Sequence, residues 1–214
     1  MSNYNTIEEA RPFIEVTAKE MFNANGKHYR IDCGSYLFSP KHSNNQMVIS
    51  SQMCHKQALL FDTCKNASSV LETGTYMGHS LLIMLCSNPM LKITTVDLLD
   101  RYCSGAIEVL REKFPQAQID FIQGNSLEVL PTLTSNYNFF HLDGSHKAHI
   151  VEQEIKHCLK LVDRTMSKTY FVIDDYNQTQ QACEFLSNNY EVHNAGISGG
   201  YNYNWRCSIV TSTI

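Results

Sequence analysis

Ser69-Val70-Leu71-Glu72-Thr73-Gly74-Thr75-Tyr76-Met77-Gly78-His79-Ser80 joins two apolar patterns across a pair of glycines. Up to Thr73 the run is short and aliphatic, which predicts a buried strand ended by glycine. From Gly78 to Cys86 the apolar block lengthens until Asn88-Pro89 stops it, and this predicts a helix. A strand, a glycine turn and a helix in direct succession open an α/β alternation.

Downstream the alternation continues. Strands are expected at Lys92–Asp97, Gln118–Gln123, Phe139–Asp143 and Thr169–Asp174, with helices at Ser104–Phe114, His149–Leu161 and Thr179–Leu186 between or after them. Tyr190–Asn194 and Trp205–Thr211 then add a terminal antiparallel pair. Right-handed crossovers place such strands in a mostly parallel sheet with helices on both faces. Upstream, Ile7, Ala10, Phe13, Ile14, Ala18, Met21 and Phe22 recur at helical spacing, so Thr6–Asn23 reads as an amphipathic helix. Asn23–Asn45 reads as a long loop, and Ser50 or Ser51 caps a second helix ending near Cys64. The division is one domain: an N-terminal helical cap with a substrate-side loop at residues 1–66, and a core at residues 67–214.

Composition narrows the classes. The 214 residues are 43% hydrophobic and 18% charged, enough for one core without disulfide staples. A formal net charge of −4 with scattered Lys and Arg provides no footprint for nucleic acid. The eight cysteines contain no C-x-x-C pair, which leaves reduced, buried thiols as the plain reading. Met1–Ala10 has no apolar leader core, and no run approaches the roughly 18–20 apolar residues of a membrane span. A cytoplasmic protein without a membrane partner is therefore expected.

The strand ends carry the unusual residues. In an open parallel sheet, ligands bind beyond the carboxyl ends of the strands. Those ends present Glu72 and Gly74, Asp97, Gly124-Asn125-Ser126, Asp143, and Asp174-Asp175. Gly74 permits a tight turn and close approach of a ligand, and the next helix offers free amides. Asp97 follows this loop by about 20 residues, where a carboxylate can accept both hydroxyls of a ribose. A helix cap or a solvated carboxylate is the alternative reading of Asp97. An N-cap is the alternative for Asn125 and Ser126.

Glu72-x-Gly74-x-x-x-Gly78 resembles the glycine motif of class I S-adenosylmethionine-dependent methyltransferases. It lacks the middle glycine of the G-x-G-x-x-G dinucleotide pattern, whose space Thr75 and Tyr76 take. Together with Phe140-His141-Leu142-Asp143-Gly144-Ser145-His146 and Phe171-Val172-Ile173-Asp174-Asp175-Tyr176, the motif is similar to the cation-dependent O-methyltransferases of the catechol and caffeoyl-CoA type and to their sugar and macrolide branch. The resemblance covers roughly Met47 to Asn177. It implies a Rossmann-like α/β sheet of seven strands, mostly parallel, with a C-terminal antiparallel hairpin. It implies S-adenosyl-L-methionine bound by Glu72, Gly74, Thr75, Tyr76, Gly78, Ser80, Asp97, Asn125, Ser126 and Asp143, with Asn125 and Ser126 on the adenine side.

By the same resemblance Asp143, Asp174 and Asp175 would hold a divalent cation, and three hard oxygen donors suit Mg²⁺ or Mn²⁺. Three independent strand-end carboxylates are the alternative. Asp175 stands where the catechol-type enzymes have Asn, which points away from a catechol. His146, three residues after Asp143, is the candidate general base, Lys147 the second, and Asp143 the third catalytic candidate. His149 and His157 read as a polar helix face, and an H-x-x-H zinc site lacks a third ligand. Tyr29, Tyr36, Phe38, Tyr201, Tyr203 and Trp205 could wall an acceptor pocket, and Met47–Ser51 should pass near the cofactor. The expected reaction is O-methylation of a small-molecule or sugar hydroxyl, by a chain that family analogy allows to be a homodimer. A nucleotide-binding oxidoreductase and a non-catalytic cofactor-binding protein are the competing readings.

Overall fold

Val70 and Leu71, Phe139 and Phe140, and Phe171 and Val172 are neighbouring pairs whose members fall into two different apolar clusters. Adjacent strand residues point to opposite faces, so these strands are buried on both sides of one sheet. A computed structural model describes residues 4–25, 37, 54–198 and 204–214 of the chain.

The strands are β1 (Ser69–Thr73), β2 (Lys92–Asp97), β3 (Gln118–Gln123), β4 (Phe139–Leu142), β5 (Lys168–Ile173), β6 (Val192–Ser198) and β7 (Asn204–Val210). Their order in the sheet is β3-β2-β1-β4-β5-β7-β6. β1 to β5 pair in parallel, while β7 runs antiparallel to both β5 and β6. The order reverses between β1 and β4, which makes that gap the topological switch point.

The helices are α1 (Ile7–Ala24), α2 (Cys54–Cys64), α3 (His79–Ser87), α4 (Asp100–Lys113), α5 (Ser126–Val129), α6 (Ala148–Cys158) and α7 (Tyr176–Asn189). Residues from α1 to α4 share one apolar cluster, and residues from α6 and α7 the other. Every residue of α3 is buried, which explains an apolar block with no polar face. Thr6 caps α1 by accepting from the Glu9 amide at 3.2 Å, and Ile7, Ala10, Ile14, Thr17, Ala18 and Met21 form its buried stripe. The six cysteines Cys64, Cys86, Cys103, Cys158, Cys183 and Cys207 are free and buried.

Element ends shift from the sequence reading, and three of the shifts have a structural cause. α4 starts at Asp100 rather than Ser104, because the turn after β2 is made by Leu98 and Leu99, both exposed, and not by a polar loop. α7 starts at Tyr176 rather than Thr179, directly after Asp175 in the left-handed region at φ 50°. β6 extends to Ser198 through an irregularity between His193 and Gly196, which interrupts the alternation that marks a strand.

Two stability tests follow from packing. A Cβ on Gly105 would sit 2.7 Å from the Ala24 carbonyl oxygen, where α4 meets the end of α1. Gly105→Ala would gain about 1 kcal/mol in an open helix. Against this carbonyl it should instead lose about 1–3 kcal/mol, read from urea unfolding. Unchanged or raised stability would contradict the docking of α1. Glu154 on α6 is fully buried, and burial lifts its carboxyl above the usual range, opposed by the Ser126 and Thr73 hydroxyls. A folded-state pKa raised above the unfolded one makes the group's favourable share complete at low pH, and that share is lost as pH rises through the folded value. Glu154→Gln should therefore raise the melting temperature at pH 8 and lose that advantage by pH 4. An equal gain at both would exclude titration as the cause.

Candidate functional site

Register sets the site. Thr73 pairs with Val96 on one side and Leu142 on the other, and Leu142 pairs with Ile173. The next residues along, Gly74, Asp97, Asp143 and Asp174, therefore stand in one row at the carboxyl edge. Backbone bonds continue past the strands: Gly74 N–H to Val96 O at 2.8 Å, Asp143 N–H to Thr73 O at 2.9 Å, and Asp174 N–H to Leu142 O at 2.9 Å.

Glu72 anchors the loop from behind. Its carboxylate accepts from Ser80 Oγ at 2.5 Å and Thr95 Oγ1 at 2.7 Å, and His141 Nδ1 lies 2.9 Å from Oε1. Glu72 is 0% exposed, so it shapes the glycine turn and is not on the cleft wall. Ser80 and Thr75 are buried behind the same turn, with Thr75 Oγ1 2.5 Å from Thr95 Oγ1. Gly74 is required twice over: its φ is +89°, and a Cβ there would lie 2.3 Å from the Asp143 carbonyl oxygen. Gly78, at φ +71°, lets the chain turn into α3.

Beside this turn lies a cleft of about 220 Å³, open to solvent. Thr73, Gly74, Asp97, Asn125, Ser126 and Ile150 are among its lining residues. Of the residues read as cofactor-binding, Gly74, Asp97, Asn125 and Ser126 meet this cleft, whereas Glu72, Thr75 and Ser80 support it from within. Tyr76 contributes through its backbone: its N–H donates to Asp97 Oδ2 at 2.7 Å, while Leu99 N–H donates to Oδ1 at 3.0 Å. Two donors fix the carboxylate, and a carboxylate has about four acceptor positions, so it can still receive two hydroxyls. Asn125 caps α5 by accepting from Leu127 N–H at 3.2 Å, so the capping alternative holds alongside its place on the wall.

Across the Gly74–Asp143 contact lies a charged face. Lys56 from α2 is 1% exposed, and its Nζ is 2.5 Å from Asp174 Oδ1. Nδ1 of His146 is 2.5 Å from Asp175 Oδ2, with the ring itself half exposed. Asp174 and Asp175 are each 4% exposed. Burial, and then the neighbouring Asp174, hold the Asp143 carboxyl well above the usual range, with Lys56 pulling the other way. The Asp175 bond raises the affinity of His146 for a proton against the opposing effect of burial. Lys147 is exposed at the N-cap of α6, its own N–H donating to Ser145 Oγ at 3.3 Å.

The structure thus brings Asp143, Asp174, Asp175 and His146 together as expected, and adds Lys56. That addition bears on the cation. Asp174 faces an ammonium and Asp175 an imidazole, and among the described residues no group of three His, Cys, Asp or Glu side chains is arranged to hold a metal ion. As they stand, these residues do not fit Mg²⁺ or Mn²⁺, because an ammonium already lies against Oδ1 of Asp174 and would bring like charges together with a bound cation. Tyr29, Tyr36, Phe38, Tyr201, Tyr203 and Met47–Ser51 lie outside the described residues, and Trp205 is buried in the core. No helix among the described residues is long and apolar enough to cross a membrane.

The family model for a methyltransferase domain matches residues 71–176, from β1 to the start of α7. An O-methyltransferase of Aspergillus hancockii, hkm8, is 30% identical over 82 residues, which are 37% of this chain. The match spans about a third of that relative, 32% of its length. The O-methyltransferase TomG of Streptomyces achromogenes, involved in tomaymycin synthesis and solved with S-adenosylmethionine, superposes with a TM-score of 0.63 at 18% identity, over 90% of both chains. An O-methyltransferase of Bacillus cereus solved with S-adenosylhomocysteine gives 0.63 at 14% identity, over 91% of this chain and 90% of its own. From the glycine turn to the paired aspartates the chain matches the methyltransferase-domain family, and it has the class I methyltransferase fold.

Proposed function

We propose that this chain transfers a methyl group from S-adenosylmethionine to a hydroxyl of a small molecule or sugar. One observation carries the reading: a cleft with a fixed carboxylate at Asp97 meets, across the close approach of Gly74 to Asp143, a face bearing His146 and Lys56. The adenosine takes the cleft, with its ribose on Asp97 and its adenine toward Asn125, Ser126 and Ile150. The methionine end passes Gly74, which leaves the sulfonium methyl facing the acceptor side.

Transfer is an in-line displacement. The acceptor oxygen forms a bond to the methyl carbon as the carbon–sulfur bond breaks, giving a methyl ether and S-adenosylhomocysteine. His146 holds Asp175 through Nδ1, which leaves Nε2 to take the hydroxyl proton. Holding two reactants in near-attack geometry is worth roughly 7–11 kcal/mol, so positioning supplies most of the acceleration. Asp174 and Asp175, two of the three carboxylates that would hold a divalent cation, are engaged with Lys56 and His146.

Calorimetric titration with S-adenosylmethionine and S-adenosylhomocysteine tests this directly. Both should bind with dissociation constants near the micromolar range, and Asp97→Asn should weaken binding by about tenfold or more, roughly 1.4 kcal/mol. His146→Ala should retain S-adenosylhomocysteine affinity and lose transfer of a labelled methyl group to a panel of hydroxylated acceptors. Failure of both ligands to bind at millimolar concentration, or binding of NADH in their place, would overturn the reading.

A further inference from the structure

Lys56 is a lysine where charge is hardest to keep. It lies on α2, outside the strands that carry the site, and its buried side chain reaches Asp174 at the carboxyl edge of the sheet. A buried ammonium is tolerated when a counter-charge meets it, and Asp174 Oδ1 meets it at 2.5 Å. That oxygen belongs to the residue that the row of strand ends sets beside Asp143, facing the acceptor side.

Resting on the methyltransferase reading, we propose that the Lys56 ammonium is the resident cation of this site, standing in the place that a divalent metal holds in the cation-dependent O-methyltransferases. Two geometric facts support it. The ammonium is at contact distance from the oxygen a metal would need first, so the two cannot share it without bringing like charges together. The second aspartate, Asp175, has one oxygen engaged by His146 at 2.5 Å. What remains is the Asp143 carboxyl, Oδ2 of Asp174 and Oδ1 of Asp175, on a face where both paired aspartates already meet an ammonium or an imidazole. An ammonium does part of the metal's work differently. It brings a single positive charge and N–H donors to an oxygen losing its proton, in a fixed position and without exchange with solvent.

The proposal separates from the parent reading by measuring metal and cofactor independently. Mn²⁺ is titrated into the full chain carrying S-adenosylhomocysteine, and the free-ion signal is followed by electron paramagnetic resonance. The wild-type chain should leave the signal unchanged into the millimolar range. Lys56→Met, which keeps the apolar stem and removes the charge, should gain saturable Mn²⁺ binding, and adding Asp174→Asn to it should remove that binding. Saturable Mn²⁺ binding by the wild-type chain that Asp174→Asn abolishes would overturn the proposal, and it needs no Lys56 variant to fold. A folded Lys56→Met that still takes up no Mn²⁺ would overturn it equally. The S-adenosylhomocysteine titration with and without chelator tests the parent reading alone: lost affinity in both indicts the cofactor site, whatever Mn²⁺ does.

Discussion

A carboxylate with no exposure to water organises this protein. Glu72 gathers Ser80 from α3, Thr95 from β2 and His141 from β4 around one group on β1. Burying a charge without partners costs several kcal/mol, so the fold is held to the geometry that supplies all three. That geometry carries the turn. With Glu72 and Ser80 tied, the chain between them must reverse within a few residues, and Gly74 and Gly78 supply the positive φ values this requires.

Consequences spread from the turn in two directions. Toward β2, the Tyr76 amide fixes the Asp97 carboxylate on the cleft wall, where the proposed ribose would sit. Toward β4, the missing side chain of Gly74 lets the Asp143 backbone close in, so the cleft and the charged face lie on either side of that contact. On the far side of that contact the charges are paired, Lys56 with Asp174 and His146 with Asp175. In the proposed methyl transfer the two reactants must be held in near-attack geometry, and two preorganised faces meeting at one contact would serve that need.

Much of this was legible in the sequence, for physical reasons. Strands buried on both faces read as short apolar runs, and each run here ends at a glycine or an acid, so Gly74, Asp97, Asp143 and Asp174 stood out without coordinates. Their alignment into one row is a matter of register, which residue pattern alone does not state. Glu72 was legible as an unusual residue but not as an internal one, since its three partners lie 8, 23 and 69 positions away. Lys56 was the residue missed. On a helix of weak amphipathicity a lysine reads as solvated, and only the packing of α2 shows that its head lies inside. The signal that could have found it was the excess of acid at the strand ends, which asks for a cation from somewhere.

The central claim is that adenosine and acceptor meet across the Gly74–Asp143 contact. A crystal structure of the chain with S-adenosylhomocysteine measures this most directly. The account predicts both ribose hydroxyls within about 3 Å of the Asp97 carboxylate and the sulfur beside Gly74, facing the side of Lys56 and His146. An adenosine bound away from Asp97, or a sulfur pointing back into the cleft, would contradict it.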